Sequence, residues 1–575
     1  MLNDPFHRSL MVSRQKIGKN ILPTLIFAVF VFGMFGRIHS LYGQSLQTGM
    51  PVIEEAIRRS QLLNSEMQGP SFALRPLPLA LHRMDSSQAF TSLNLFISPN
   101  ENFIRALPIR QTMEFNSKRP YGWGNGAMVP NVGLQSYTNL GVEAKFSVFN
   151  IKLSPELIWT ENKSFQGFSF TQRNIAEARY RSWSFGDYPE RYGESPTTLI
   201  WWGQSKFTLQ AGFLEAGIST ENIWWGPGQF SALTFSNNAR SFPHLTLRTR
   251  RPAKTFLGQF EGEILSGKIE DSGLAPAQLA ELNSLYFYPF SGDHKYVNAM
   301  TLTYNPKWVP TMFVGFTRTH QQYSDQMGDE FFDYLPIFEP FQKSVYGFDK
   351  DSEGRDQQFT FFGRYVIPKA SMEVYFEYGR RDHAYNWREA ILNPEHARAY
   401  LLGFQKVWKT GIEEEYVQVR AELLHQQESV NRYIRYAGLG GSYTWHTHGQ
   451  ARGFTNFGEA LGTGPGVGSN VQTLEIAKVA GLNKRGVRLE RLANNQDFFY
   501  RAFGQNTEKK PWIDLSVGLL WDQEWDRLIL SGKFQYIRAL NYQWQSEATS
   551  TVDFPDGQNL GSFFTQIHLI YRVGN

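Results

Sequence analysis

Apolar and polar residues alternate strictly over stretches of about ten residues, many times along this chain, and this limits what it can fold into. In SMEVYFEYGR, Met372, Val374, Phe376 and Tyr378 fall on one face, opposite Glu373, Tyr375 and Glu377. In EYVQVRAELL, Val417, Val419, Ala421 and Leu423 oppose Gln418, Arg420 and Glu422. NLGVEAKFSVF places Leu140, Val142, Ala144, Phe146 and Val148 opposite Glu143, Lys145 and Ser147. WIDLSVGLLW, RLILSGKFQYIRAL and FFTQIHLIYRV alternate in the same way. A period of two is the strand signature. Strands of soluble sandwiches are shorter, whereas about ten residues cross a bilayer with tilt. Charge recurring on one face suits a polar lumen, and the apolar face then meets lipid. Trp408, Trp512, Trp521, Trp525 and Tyr571, near segment ends, suit interfacial girdles.

The reading is an all-β chain, a transmembrane antiparallel β-barrel of about 18 strands with a small periplasmic helical segment. The expected divisions are a signal peptide over 1–43, a periplasmic helical or plug segment over 44–105, and the barrel over 106–575. Helical spacing of Val52, Ile53, Ala56, Ile57, Leu62 and Leu63 predicts helix within 51–66. A second helical patch is expected at 385–399, and long loops at 265–296, 321–356 and 440–480. The last segment closes on YRVGN, without the terminal aromatic residue common in such barrels.

The N-terminus reads as an export signal: basic residues, the apolar run ILPTLIFAVFVFGMFG (21–36), then small residues with cleavage after Gly43. It also explains the charge. The chain has 57 basic and 53 acidic residues. Setting aside Arg8, Arg14, Lys16, Lys19, Arg37 and Asp4 leaves 52 of each, so no electrostatic footprint for nucleic acid remains. With no cysteine there is no disulfide, thiol nucleophile or Cys-based zinc site. EALGTGPGVGSN lacks the lysine of a phosphate loop. No cofactor is expected.

Five stretches in order, SFALRPL (71–77), GAMVPNVGLQSYTNLGVEAKFSVFNIKLSPEL (126–157), ENIWWGPGQFSALTFSNNAR (221–240), NPEHARAYLLGFQK (393–406) and WHTHGQARGFTNFGEALGTGPGVGSN (445–470), resemble the Wzi family of outer-membrane capsule-assembly proteins, in the form common in Bacteroidetes-like bacteria. The resemblance implies an 18-stranded outer-membrane barrel with a small periplasmic helical part. It also implies binding of secreted capsular polysaccharide at the cell surface, without enzymatic activity and alongside export machinery. It does not fix the polymer, and another exopolysaccharide is open.

The candidate polysaccharide contacts lie first in ENIWWGPGQFSALTFSNNAR. Trp224 and Trp225 can stack on sugar rings, and Asn237 and Asn238 can bond hydroxyls. Arg240 can pair with a uronate, with Glu221 holding Arg240 or a hydroxyl. The competing reading is structural: Gly226-Pro227-Gly228 forces a turn, and the tryptophans brace the barrel. His446 and His448 are further candidates for polymer contact, for a metal pair lacking a third ligand, or for a polar network. Glu413, Glu414 and Glu415 read as a solvated turn rather than paired glycosidase carboxylates. Ser442 near His446 lacks the elbow of a hydrolase nucleophile. Glu373, Glu377, Arg420 and Glu422 line either a conducting channel or a closed, ion-paired interior. The rival functions are therefore an oligosaccharide-permeable porin and an outer-membrane hydrolase.

Overall fold

The computed structural model describes residues 44–64, 70–79, 102–290, 293–339, 354–382, 387–429, 444–504 and 508–573. The expected signal peptide and Ser442 lie outside these residues. Among them, 23 paired strand segments form one closed antiparallel barrel. Five couples are halves of one strand: Phe103–Ala106 with Ile109–Asn116, Gly133–Asn139 with Val142–Phe146, Phe149–Leu153 with Glu156–Thr160, Thr197–Trp201 with Lys206–Ala211, and His244–Thr249 with Ala253–Lys254. Counted once each, they leave 18 strands, the number read from the alternation. Closure comes from Leu560–Tyr571 pairing with Ile109–Asn116, Phe564 opposite Asn116 and Tyr571 opposite Ile109.

The barrel is apolar outside and polar inside. Leu209, Val374, Leu489, Val517, Phe534 and Ile567 are exposed on the wall. Gln135, Thr208, Glu373, Gln405, Glu475 and Gln535 are buried in the lumen. Connections at one end are tight, such as Ser147-Val148 and Asp526-Arg527; at the other they are long loops such as 161–196 and 220–243. In membrane barrels the tight-turn end faces the periplasm. Trp408, Trp521, Trp525 and Tyr571 stand exposed near the tight turns, as girdle residues do. Trp512 does not: it lies inside the long-loop end, its Nε1 donating to Asp514 Oδ1 at 2.8 Å.

Helix α1, Pro51–Leu63, sits within the lumen near the tight turns. Ile53 and Ile57 pack on Phe72, Leu482, Ile529 and Ile570, and Leu62 on Phe313, Val366 and Val407. Its charged residues reach the wall. Arg58 Nε meets Glu373 Oε1 at 2.6 Å, and Glu55 Oε2 meets Lys484 at 2.9 Å and Arg420 at 3.0 Å. Buried ion pairs stabilise weakly but fix position, since breaking one strands a charge.

At the long-loop end, α2 (Arg173–Gly186), α3 (Ala280–Tyr286) and α4 (Gln496–Phe503) gather an aromatic cluster. Trp183, Phe498, Trp512, Tyr542 and Trp544 belong to it. Arg179 lies 4.5 Å from the Trp183 ring and 5.4 Å from that of Trp544, so cation–π contact accommodates its buried charge.

Several sequence expectations change. The patch expected over 385–399 is helical only over Trp387–Leu392, and Arg398 opens a strand to Lys409. Residues 470–480, read as loop, form the strand Asn470–Ala480, whose alternation a glycine-rich approach obscures. The strand read through Val148 turns at Ser147, whose φ is 54°.

Because Val517 faces outward at mid-strand, Val517→Arg should cost about 2–4 kcal/mol in lipid, the price of a cation near the bilayer midplane. Denaturant unfolding in vesicles measures this. A neutral outcome would mean the face assignment is wrong.

Candidate functional site

Residues 220–243 do not lie on the barrel's rim; they fold inward. Trp224–Trp225 pairs antiparallel with Leu74–Arg75, binding this loop to the segment that follows α1. The guanidinium of Arg75 stacks 5.0 Å from the Trp224 ring, and its Nη1 donates to the carbonyls of Phe72 (2.7 Å) and Gly226 (2.9 Å). Trp225 is buried against Phe235, ring centroids 4.8 Å apart, and its Nε1 donates to Glu263 Oε2 at 3.1 Å.

Two luminal carboxylates hold the turn. Glu377 accepts the N–H groups of Gly228 (3.1 Å) and Leu233 (2.8 Å). Glu422 accepts those of Gln229 (2.8 Å) and Phe230 (3.2 Å), and the Tyr375 hydroxyl at 2.9 Å. Gly226 adopts φ +114°, and a Cβ there would lie 2.3 Å from Glu377 Oε1. The glycines of WWGPG thus serve a close approach and an unusual backbone at once.

The asparagines bond to protein. Asn237 accepts from Asn222 Nδ2 at 2.8 Å and donates to the Gly124 carbonyl at 3.0 Å. Asn238 accepts from the Gly124 N–H at 3.1 Å and donates to the Ala460 carbonyl at 2.9 Å. Arg240 stacks 3.3 Å over the Phe457 ring, with Trp201 at 5.1 Å. Burial lowers its pKa to about 10, so it stays cationic at neutral pH. Glu221 does not hold Arg240, contrary to the sequence expectation. It meets Lys152 at 2.8 Å and Lys206 at 3.3 Å. Burial pushes its carboxyl upward, but the two ammonium groups prevail and hold it down at about 2.

His446 and His448 are buried, and each is engaged by protein groups. His446 Nε2 bonds Gln426 Oε1, and its Nδ1 lies 3.1 Å from the Tyr188 hydroxyl. Burial, aided by Arg381, depresses its pKa to about 3, so the imidazole is neutral at neutral pH. His448 Nδ1 accepts the N–H groups of Ala451 (3.0 Å) and Gln450 (3.3 Å). Among the described residues no group of three or more His, Asp or Glu is arranged for a metal. Glu413 and Glu414 lie exposed at a tight turn, and Glu415 pairs with Lys478 at 2.8 Å.

A luminal chamber of about 210 Å³ remains between α1, this loop and the wall. Trp224 and Asn237 border it, with Arg110, Arg420, Lys484 and Lys533. Glu221, Trp225, Asn238, Arg240, His446 and His448 do not.

The long-loop end carries what sequence reasoning passed over. Tyr288, Phe331, Tyr334 and Phe338 are exposed, Tyr288 with 67% of its surface free. Tyr296, at the start of the strand Lys295–Pro306, ties the segment of Tyr334 to the wall, its hydroxyl donating to the Tyr334 carbonyl at 2.6 Å. The signal was the aromatic density of LYFYPF (285–290) and FFDYLPIF (331–338) inside segments read only as loops.

The family model for the capsule assembly protein Wzi matches residues 129–527. A solved structure described as Wzi, an outer-membrane protein involved in group 1 capsule assembly in Escherichia coli and a carbohydrate-binding β-barrel, aligns with a TM-score of 0.57 at 13% identity. The alignment covers 91% of this chain and 98% of that one, and it shows a shared fold. OccAB2 of Acinetobacter baumannii aligns at TM-score 0.39 and 9% identity, over 81% of this chain and 97% of that one. OprD of Pseudomonas aeruginosa aligns at 0.37 and 8%, over 82% and 94%. No curated protein sequence matches.

Two outcomes follow from the inward loop. Gly226→Ala should destabilise the barrel by about 1–3 kcal/mol from the backbone conformation, with the Cβ clash against Glu377 adding to it, in equilibrium unfolding. Glu221, whose folded pKa is depressed, contributes stability above its ordinary value near 4.5 and loses it as pH falls toward about 2. Glu221→Gln should therefore flatten the acid limb of a stability–pH curve, by roughly 3 kcal/mol at most. An unchanged acid limb would refute the pairing with Lys152 and Lys206.

Proposed function

The chain belongs to the Wzi family of capsule assembly proteins, and from that premise we propose that it is an outer-membrane barrel that binds capsular or other surface polysaccharide and holds it at the cell surface, without a hydrolytic step. The observation that carries this reading beyond the family is the filled lumen. Glu373, Glu377, Arg420 and Glu422 are all bonded to α1 or to residues 228–233. Such an interior supports retention over passage, and so favours this reading over a porin.

Polymer contact belongs to the long-loop end. Tyr288, Phe331 and Tyr334 offer exposed ring faces for the apolar faces of pyranoses, and Tyr288 follows directly on Tyr286 and Phe287, which pack against the helical aromatic cluster. In this reading Glu221, Trp224, Trp225, Asn237, Asn238, Arg240, His446 and His448 brace that surface. They act on polysaccharide through the barrel they hold together. Contacts at many copies along one long polymer multiply weak single-site affinity into firm retention.

Cells carrying Tyr288→Ala, Phe331→Ala and Tyr334→Ala together should release polymer into the medium, while the barrel remains folded and heat-modifiable on gels. Chromosomal deletion should do the same. Attached polymer in the deletion strain would overturn the proposal, and attached polymer in the triple variant alone would overturn the assigned surface. In planar bilayers the purified barrel should show little conductance; steady porin-like currents would favour the channel reading.

A further inference from the structure

The outer wall is not uniformly convex. A groove of about 900 Å³ runs along its outside, from the strand Met372–Arg381 to the strand Leu528–Leu540. Its lining includes Leu402, Phe404, Leu423, Leu474, Leu489 and Val517, almost wholly apolar surface. The carboxylates Glu422 and Glu490 along this stretch are buried toward the lumen instead.

The groove has a charged head. Arg491 and Arg538 both face outward and are exposed. Each is directly opposite Leu515 in the register, one on either side, so their backbones stand roughly 10 Å apart. They lie two residues before their strands end in the long loops at 494–512 and 541–559. Arg491 donates from Nη1 to Gln472 Oε1 at 2.9 Å. Arg538 has no hydrogen-bond or ion-pair partner among the described residues. Two cations on a lipid-facing wall, beside apolar surface and with no exposed carboxylate among the described residues that line the groove, call for an anion that arrives with the lipid.

We propose that this groove is a specific seat for one molecule of a phosphorylated, multiply acylated glycolipid of the lipid A type, its chains along the apolar floor and a phosphate bracketed by Arg491 and Arg538. Two features select this occupant. The arginines lie toward the long loops, hence toward the outer leaflet, where headgroups of that lipid stand. The groove crosses seven strands, roughly 30 Å of wall, a width for several chains side by side rather than two. Paired guanidinium forks are also suited to phosphate. The site is independent of polysaccharide retention, and it would anchor the barrel's orientation in the leaflet.

Full-length protein in detergent, incubated with hexa-acylated lipid A, should show a one-to-one adduct by native mass spectrometry. The double variant Arg491→Ala with Arg538→Ala should bind about tenfold more weakly or worse, as expected for two lost charge-assisted contacts. Leu515→Trp, which fills the floor between them and leaves the charge intact, should weaken binding too. Heat-modifiability confirms folding of each variant. Equal retention of a two-chain phosphatidylglycerol would overturn the assignment to this lipid class. Unchanged binding in the double variant, or a stable dimer in detergent that the double variant disrupts, would overturn the site.

Discussion

The structure depends on backbone N–H groups of residues 228–233 donating to the two luminal carboxylates Glu377 and Glu422. The alternation that lets this chain meet lipid turns its polar residues inward. The centre therefore cannot be stabilised by oil-like packing alone. Every buried donor and acceptor needs a partner, and a barrel wall alone supplies too few. The inward loop and α1 provide the missing ones: peptide groups, arginines and glutamates arriving from the middle of the lumen. Without them Glu377 and Glu422 would lose the peptide N–H groups that they accept in the middle of the lumen.

How much of this was readable beforehand varies by element. The wall was legible, because a period of two is local and repeats; Met372–Arg381 and Glu415–His425 could be assigned face by face. α1 was legible from its spacing, but its place inside the lumen was not. Its partners Glu373, Arg420 and Lys484 lie more than 300 residues away. The strand Asn470–Ala480 was hidden by the glycines just before it. The loop WWGPG was conspicuous, but its purpose depended on Glu377, an ordinary inward strand residue with nothing in its own neighbourhood to mark it. Glu221 was assigned the wrong cation, since Lys152 and Lys206 reach it only through strand pairing.

This arrangement divides labour along the barrel axis. The tight-turn half is occupied by α1 and its ion pairs. The middle is crossed by the loop 220–243. The long-loop half is covered by α2, α3 and α4 with aromatic contacts. Rigidity at the far end thus comes from its own aromatic packing. A flexible rim would give up conformational entropy on binding any ligand; a packed one has given it up on folding.

The long sequence separations within the lumen set an order of assembly. α1 is the first described helix to emerge from synthesis, yet Arg58 must find Glu373 and Glu55 must find Lys484, 429 residues later. The plug cannot find its place before the wall that surrounds it exists. The N-terminal segment is thus made first, but its seat is complete only when the wall closes, as Leu560–Tyr571 meets Ile109–Asn116.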